Sequence, residues 1–382
     1  LGVRHVLVAD ERVVWVGESP PTLPATLGVE VVDLAGARLV PGLIDGHVHV
    51  TGGGGESGFA SRVPPVPPSR FARAGTTTVI GVLGTDDWTR GTAGLVAAVR
   101  GLRAAGLSAW CLTGGYHVPA TTLTGSVRDD LLHVDPVIGV GEIAISDHRS
   151  SQPTLDELLR IASEAHVAGL LAGKAGVVHL HTGGGDRGLD LVRRAIHDSE
   201  LPPRTFHPTH VNRRRRLFEE ALELAEAGGA IDVTAFPPPE DEDDDELTVV
   251  EAFRRYRSTY LPDDGLTISS DAGGSLPCFD PAGRVTSMGV GEPAALVGAL
   301  QDLLAADIPL EEALPPFTSN VAALWRLPRK GRIAAGADAD LVVLDAEGAV
   351  RDVMARGRWH VRRGETLVRG MFEGPDGGDD LG

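Results

Sequence analysis

Cysteine is nearly missing from this chain: Cys111 and Cys278 are the only two in 382 residues. That excludes a disulfide framework and fits a reducing compartment, so a cytoplasmic protein is expected. Lysine is equally scarce. Lys174 and Lys330 are the only two, and nearly all other basic charge is arginine. No stretch of about 18 apolar residues occurs, which excludes a transmembrane helix of ordinary length. The start shows no leader-peptide pattern, and with Leu1 rather than Met as first residue a native start farther upstream is expected. Positive charge is in deficit. A net charge of −18 excludes nucleic acid and anionic membrane as default partners. The run Arg213–Arg216 is a local exception and, from Arg214 on, reads as the start of a solvated helix.

What is present is a large core-forming fraction, with 42% hydrophobic and 23% charged residues. The 49 glycines and 26 prolines imply many tight turns. Both ends of the chain read as short strands: HVLVADERVVWVG and GVEVVDLAGARLV at the start, GRIAAGADADLVVLD and DVMARGRWHVRRGETL at the finish. A small β-sheet domain built from residues 1–39 and 331–372 is expected, with a frayed tail over 373–382. The middle, 40–330, alternates short apolar runs with amphipathic stretches. The runs lie at 39–50, 76–84, 108–116, 137–145, 177–183, 205–211, 230–236 and 266–272. Helices are expected over 92–106, 154–173 and 215–229, the second with capping-box spacing between Thr154 and Glu157. Eight buried strands with intervening helices predict an α/β fold, a (β/α)₈ barrel, with an open doubly wound sheet as the alternative. The acidic segment 237–246 reads as a solvated loop or as a lid over the barrel mouth.

The chemistry is legible at the ends of those runs. The first ends in His47 and His49, the fourth carries Glu142, the fifth ends in His181, the sixth in His210 and the eighth in Asp271. Strand residues i and i+2 face the same side, so HVH aims both imidazoles one way and Val48 the other. In a parallel barrel these strand ends share one mouth. Four imidazoles and two carboxylates there suit a divalent transition metal, most simply zinc. Six ligands exceed the need of one catalytic ion, so two are expected. Glu142 lies in the apolar stretch GVGEIAI, where an uncompensated charge would cost several kcal/mol, and a metal would compensate it.

PGLIDGHVHV resembles the first metal motif of the amidohydrolase superfamily. GGGGESG, LTGGYHVP, ISDHRS, PTHVNR and SSDAGGS, in that order, resemble the isoaspartyl dipeptidases within it. The resemblance implies a metal-dependent hydrolase that cleaves the β-linked amide of isoaspartyl dipeptides by attack of a metal-bound hydroxide. It places His47 and His49 on the more buried metal, His181 and His210 on the more exposed one, and makes Asp271 both ligand and proton shuttle. Relatives commonly bridge the two metals with a carboxylated lysine on the fourth strand. Here no lysine stands there, and Glu142 is assigned the bridge, together with a hydroxide. A glutamate is shorter by about 3–4 Å, and a bulge at Gly141 is expected to supply the reach. The alternative is a single metal with Glu142 behind the ligands.

For substrate, the resemblance implies that Arg149 and Arg213 clamp two carboxylates, Glu56 takes the ammonium group, and Tyr116 stabilises the oxyanion. Ser275, Thr85 and the backbone at Gly54 are further contacts. Other readings are a packed Tyr116 and a glycine run, Gly52–Gly55, that only turns the chain; the run lacks the GK[ST] ending of a phosphate loop. The competing functions are a cyclic-amide hydrolase of the dihydroorotase or hydantoinase kind, an N-acyl-amino-acid deacylase, or a non-catalytic homologue. A homo-oligomer is expected from the same resemblance.

Overall fold

The computed structural model describes residues 2–237, 245–280 and 282–374. The loop or lid expected at 237–246 falls mostly on residues 238–244, outside the described residues, and so does the tail from 375 onward.

Eight short parallel strands form the centre of the described residues. They are Leu43–Val48, Thr76–Gly81, Ser108–Thr113, Val137–Ile145, Val177–Thr182, Phe206–Thr209, Ile231–Thr234 and Leu266–Ser269. Nearly every residue in them is buried, as expected for a parallel sheet covered on one side by helices and filled on the other. The first six pair in consecutive order, and the seventh pairs with the eighth. The sixth meets the seventh through a buried hydrogen bond from Thr209 Oγ1 to Asp232 Oδ2, 2.7 Å. The eighth returns to the first through a parallel bridge between Val48 and Ala272, where the His49 amide donates to the Ala272 carbonyl at 2.8 Å. Ser270 also donates to Asp45 across this seam from its backbone N–H, at 3.2 Å, and from its hydroxyl. A doubly wound sheet would reverse its order about an interior first strand and leave its edges apart. Consecutive order with rejoined edges makes this a closed barrel and removes the open-sheet alternative.

The expected helices form at Thr92–Ala104, Leu155–Ala172 and Arg215–Glu226. Thr154 caps the second: its hydroxyl accepts from the Glu157 amide while the Glu157 carboxylate accepts from the Thr154 amide, and Gly173 ends the helix at φ 67°. Thr154→Ala should lower unfolding free energy by about 1 kcal/mol. Urea denaturation of both proteins, with equal slopes and a shifted midpoint, checks this.

The first apolar run divides at Gly42. Arg38–Pro41 pairs antiparallel with Leu341–Leu344 in a five-stranded sheet, while Leu43 onward enters the barrel. A Cβ on Gly42 would lie 2.1 Å from Thr77 Oγ1, so only glycine fits this switch between sheets. The remaining strands of that sheet are Val350–Ala355, Arg358–Arg362 and Glu365–Thr366. A hairpin of His5–Ala9 and Arg12–Gly17 packs on it, with Val13 against Ala339, Leu341 and Met354. Both chain ends thus build one small β domain. Lys330 ties it to the barrel, its ammonium buried against Asp338, Asp340 and Ser108. Lys174 donates to the carbonyls of Leu131 and Val134 at 2.7 and 2.8 Å, beside the entry to the fourth strand and away from its functional end. A further hairpin, Ser275–Phe279 with Val285–Val290, follows the eighth strand and overhangs the mouth; the apolar runs gave no sign of it.

Candidate metal centre and substrate pocket

Period-2 geometry brings His47 and His49 together at the end of the first strand, their Nε2 atoms 3.3 Å apart. On the fourth strand the pairing register slips: Val140 faces Val178 but Ile143 faces Leu180, so one extra residue is accommodated at Gly141–Glu142. This is a β-bulge, and the peptide bond between the two is cis. Gly141 has φ 143°, and a Cβ there would sit 2.4 Å from the His179 carbonyl oxygen. The bulge aims Glu142 into the barrel. Its Oε1 lies 3.4 Å from His49 Nε2, and its Oε2 lies 3.3 Å from His181 Nδ1, 3.6 Å from His47 Nε2 and 3.7 Å from His210 Nε2. One carboxylate therefore touches all four imidazoles.

Asp271 completes the group, with Oδ1 3.1 Å from His49 Nε2 and 3.4 Å from His47 Nε2. Both His210 and Asp271 occupy left-handed backbone conformations, φ 61° and 53°. Non-glycine residues adopt these uncommonly, and such conformations cluster at functional sites. Three sets of donors each fall within 4.8 Å: His47, His49 and Glu142; His47, His210 and Asp271; Glu142, His181 and His210. All six residues are buried.

These spacings suit a cation better than hydrogen bonds. Neither Glu142 oxygen nor Asp271 Oδ1 has a hydrogen-bond partner of good geometry. Two ligands of a tetrahedral zinc with bonds of about 2.0–2.1 Å stand about 3.3 Å apart, close to the separations here. Charge agrees. Burial pushes the Glu142 pKa up, but His47 and the contacts with His181 and His210 outweigh it and hold the carboxyl well below its usual range. Burial likewise opposes ionisation of Asp271, and the His47 and His49 contacts overcome it. Burial would lower His47, yet Glu142 and Asp271 raise it to about 9. His210 is pushed down to about 3, chiefly by burial. Two ionised carboxylates facing imidazoles, one of them held neutral, make an anionic nest that a divalent ion fits.

Three of the four ligand histidines are braced from behind, while His49 Nδ1 is buried without a partner. His181 Nε2 meets Asp147 Oδ2 at 2.9 Å, which leaves Nδ1 to face Glu142. His210 Nδ1 meets Thr234 Oγ1 at 2.7 Å, leaving Nε2 for the centre. His47 Nδ1 meets His179 Nε2 at 2.8 Å. Such outer contacts fix which nitrogen a metal would use.

Above the cluster opens a cavity of about 650 Å³, lined among others by Gly54, Thr85, Tyr116, Arg149, Arg213 and Ser275, within the range of small-ligand sites. Glu56 stands just behind three of these lining residues. Oε1 accepts from Thr85 Oγ1 at 3.1 Å, Ser275 Oγ at 2.9 Å and Arg149 Nη1 at 3.3 Å, while the buried Oε2 has no partner. Arg149 is already engaged: Nε and Nη2 donate to Asp147 at 3.0 and 2.7 Å, and its guanidinium lies 5.4 Å from the Tyr116 ring centroid. Arg213 is different. Its guanidinium stacks 5.0 Å from the Phe236 ring centroid, and its buried Nε has no partner. The Tyr116 hydroxyl lies 2.8 Å from His181 Nδ1, and burial raises its pKa well above the usual value, so it stays a donor. Gly54, at φ 76°, offers its carbonyl to Arg90 Nη1 at 3.5 Å.

All thirteen residues expected at the site thus meet at one mouth. Sequence reading missed the braces. Asp147 stands inside the quoted ISDHRS, and His179 lies two residues before His181, on the same strand face by period. His207 and Asp232 gave no comparable signal.

Residues 38–360 match the model of the amidohydrolase family. A crystal structure of β-aspartyl dipeptidase from the thermophilic keratin degrader Fervidobacterium islandicum AW-1, in complex with β-Asp-Leu dipeptide, is similar. It shares 41% identity with a TM-score of 0.90, over 97% of this chain and 96% of that one. A second structure of the F. islandicum enzyme gives 39% identity and a TM-score of 0.86, over 97% and 96% of the two chains. An enamidase structure shares the fold at 19% identity and a TM-score of 0.61, over 94% of this chain and 90% of that one. Among curated proteins, an imidazolonepropionase from Acidiphilium cryptum is 36% identical over 106 residues. That match spans 28% of this chain and only a quarter of the relative's own length.

Proposed function

Because the chain belongs to the amidohydrolase family, we propose that its barrel mouth is the active site of a metal-dependent hydrolase that cleaves isoaspartyl dipeptides. One observation carries the assignment of substrate. Beside the metal-ligand cluster, Arg213 Nε is buried without a partner on the cavity wall, and Glu56 Oε2 is buried without one against the lining residues Thr85, Arg149 and Ser275. A buried polar atom left without a partner costs about 1–3 kcal/mol, more on a charged group. A zwitterionic dipeptide would supply the ammonium and the carboxylate that these two groups lack.

The residues that would hold metal are His47, His49, Glu142, His181, His210 and Asp271. Zinc, two ions per chain with Glu142 between them, accords best with the donor types and with a carboxylate that faces both histidine pairs. When bound, such ions acidify a water and polarise the scissile carbonyl. The protein's own part is orientation and proton movement. Arg213 would pair with a substrate carboxylate, its planar fork favouring two oxygens at once. Glu56, steadied on Oε1 by Thr85, Ser275 and Arg149, would turn Oε2 to the ammonium. Arg149 would reach the second carboxylate only through the edge not taken by Asp147, and otherwise fixes Glu56. Tyr116 would donate to the carbonyl oxygen as negative charge develops there. Asp271 would accept the proton released by the attacking water and deliver it to the departing nitrogen. The backbone at Gly54 would border the amine end. A cytoplasmic setting, suggested by two unpaired cysteines, and a homo-oligomeric assembly belong to the same reading; light scattering at several protein concentrations tests the latter.

The deciding experiment compares β-Asp-Leu, α-Asp-Leu, dihydroorotate and N-acetyl amino acids on protein of measured zinc content. Turnover of β-Asp-Leu well above the others is expected. Preference for dihydroorotate or an N-acetyl amino acid would overturn the substrate assignment, and metal-free, inactive protein would overturn catalysis itself. Arg213→Met should lower kcat/KM for β-Asp-Leu by about 10–100-fold, mostly through KM, since one charge-assisted contact of about 1.5–3 kcal/mol is lost. Steady-state kinetics, with an unchanged melting temperature, checks this.

A further inference from the structure

Beneath the metal cluster the barrel core holds a chain of histidines that the mechanism does not use. His47 Nδ1 meets His179 Nε2 at 2.8 Å, and His179 Nδ1 meets His207 Nδ1 at 3.0 Å. His207 Nε2 meets Thr267 Oγ1 at 3.1 Å, and the Thr267 hydroxyl donates to Asp232 Oδ1 at 2.5 Å. Asp232 Oδ2 accepts from the hydroxyls of Thr209 and Ser269. Every member is at most 1% exposed. Trp325 seals the row edge-on, 5.8 Å from His179 and 5.9 Å from His207 between ring centroids.

Two imidazole-to-imidazole contacts in series admit little freedom. Each needs one N–H and one lone pair, and a neutral ring carries one of each. Both inner rings are buried and bond to no carboxylate, meeting other imidazoles and the Thr267 hydroxyl instead, so they stay neutral. The upper end is set by His47, whose Nε2 faces Glu142 and Asp271 and must present a lone pair to a metal. Its Nδ1 then carries the hydrogen and donates to His179 Nε2. His179 must hold its hydrogen on Nδ1 and donate to His207. His207 must hold its hydrogen on Nε2 and donate to Thr267, which donates to Asp232. Every link points the same way, toward the buried carboxylate.

From this we infer that His179 and His207 are positioning residues that lock His47 in the tautomer whose Nε2 binds metal, with Asp232 as the anchor of the row. The inference rests on the metal-site reading above. It extends the familiar brace of one carboxylate behind a ligand histidine to a row two rings deep. It also accounts for two histidines kept in a barrel interior otherwise filled by Ile80, Ile138, Val177 and Trp325. Loss of the row leaves the His47 hydrogen without an acceptor and lets the ring turn or change tautomer.

The test uses zinc binding by the full-length chain stripped of metal, measured by chelator competition, on wild type, His179→Phe and His179→Gln. Phenylalanine removes the acceptor and keeps a ring; glutamine restores both an acceptor and a donor. His179→Phe should bind its tightest zinc about 10–100-fold more weakly, while His179→Gln recovers most of the loss. Melting of the metal-free proteins reports any packing defect separately. Nitrogen-15 spectra of histidine in zinc-loaded wild type should show His179 protonated on Nδ1 and His207 on Nε2. Wild-type zinc affinity in His179→Phe, equal losses in both variants, or His179 protonated on Nε2 would overturn the inference. If wild type itself binds no zinc, it is the metal-site reading that fails.

Discussion

Glutamine in place of Glu142 should lower kcat/KM for β-Asp-Leu by about 10³-fold or more, a loss of about 4 kcal/mol in transition-state stabilisation. The carboxylate is the one group that faces His47, His49, His181 and His210 together. Its amide isostere keeps the volume in a fully buried position but removes the charge. With that charge gone, the two histidine pairs have nothing anionic between them except Asp271 on one side, and affinity for the second ion should collapse first. Metal analysis of Glu142→Gln by mass spectrometry is expected to show at most one equivalent where wild type shows two. Glu142→Lys should not produce a better enzyme. The bulge at Gly141 already shortens the distance a side chain must cover, so a longer one is displaced into the ring of imidazoles. Retained two-metal stoichiometry and activity in Glu142→Gln would show that the carboxylate stands behind the ligands rather than among them.

Asp271→Asn should lower kcat by about 10²–10⁴-fold, the span of positioned general acid–base catalysis, with a much smaller change in KM. His47 and His49 hold the carboxyl below its usual range despite burial, so in the proposed mechanism it would begin the cycle as a proton acceptor. An amide cannot take up or return a proton. Substrates with better leaving groups should be impaired less, because they need less help with nitrogen protonation. Equal losses for β-aspartyl anilides with good and poor leaving groups would exclude the shuttle to the departing nitrogen. Crystals or solutions of Asp271→Asn soaked with β-Asp-Leu should retain uncleaved dipeptide.

Most of the fold could be read from the chain because its signals are local. Apolar runs of strand length, the capping box at Thr154 and the glycine stop at Gly173 depend on neighbours a few residues away. The candidate ligands were legible for a related reason: strand period decides which face His47 and His49 share, and strand polarity decides which end of the barrel they reach. What period does not give is depth. His179 and His181 share a face, yet one lies at the cluster and the other a layer below it, against His207 and Trp325. The partners that distinguish them come from strands 28 residues away and from a helix end much farther along. Asp147 escaped for the same reason: its roles toward His181 and Arg149 are set by a loop conformation, not by spacing. The division at Gly42 escaped because a barrel strand and a sheet strand in continuous sequence look alike until Thr77 and Asp340 claim the two sides of the turn.

The seam between the first and last barrel strands has a consequence for how the enzyme matures. Asp45 and Ser270 meet there across 225 residues of chain, and the donors on either side of it, His47 with His49 and Asp271, are the ones synthesised earliest and latest. A ribosome-bound chain lacking its final strand holds at most a partial ligand set. Long-range closures of this kind are slow steps, so the full ligand set comes together only when the ring is complete.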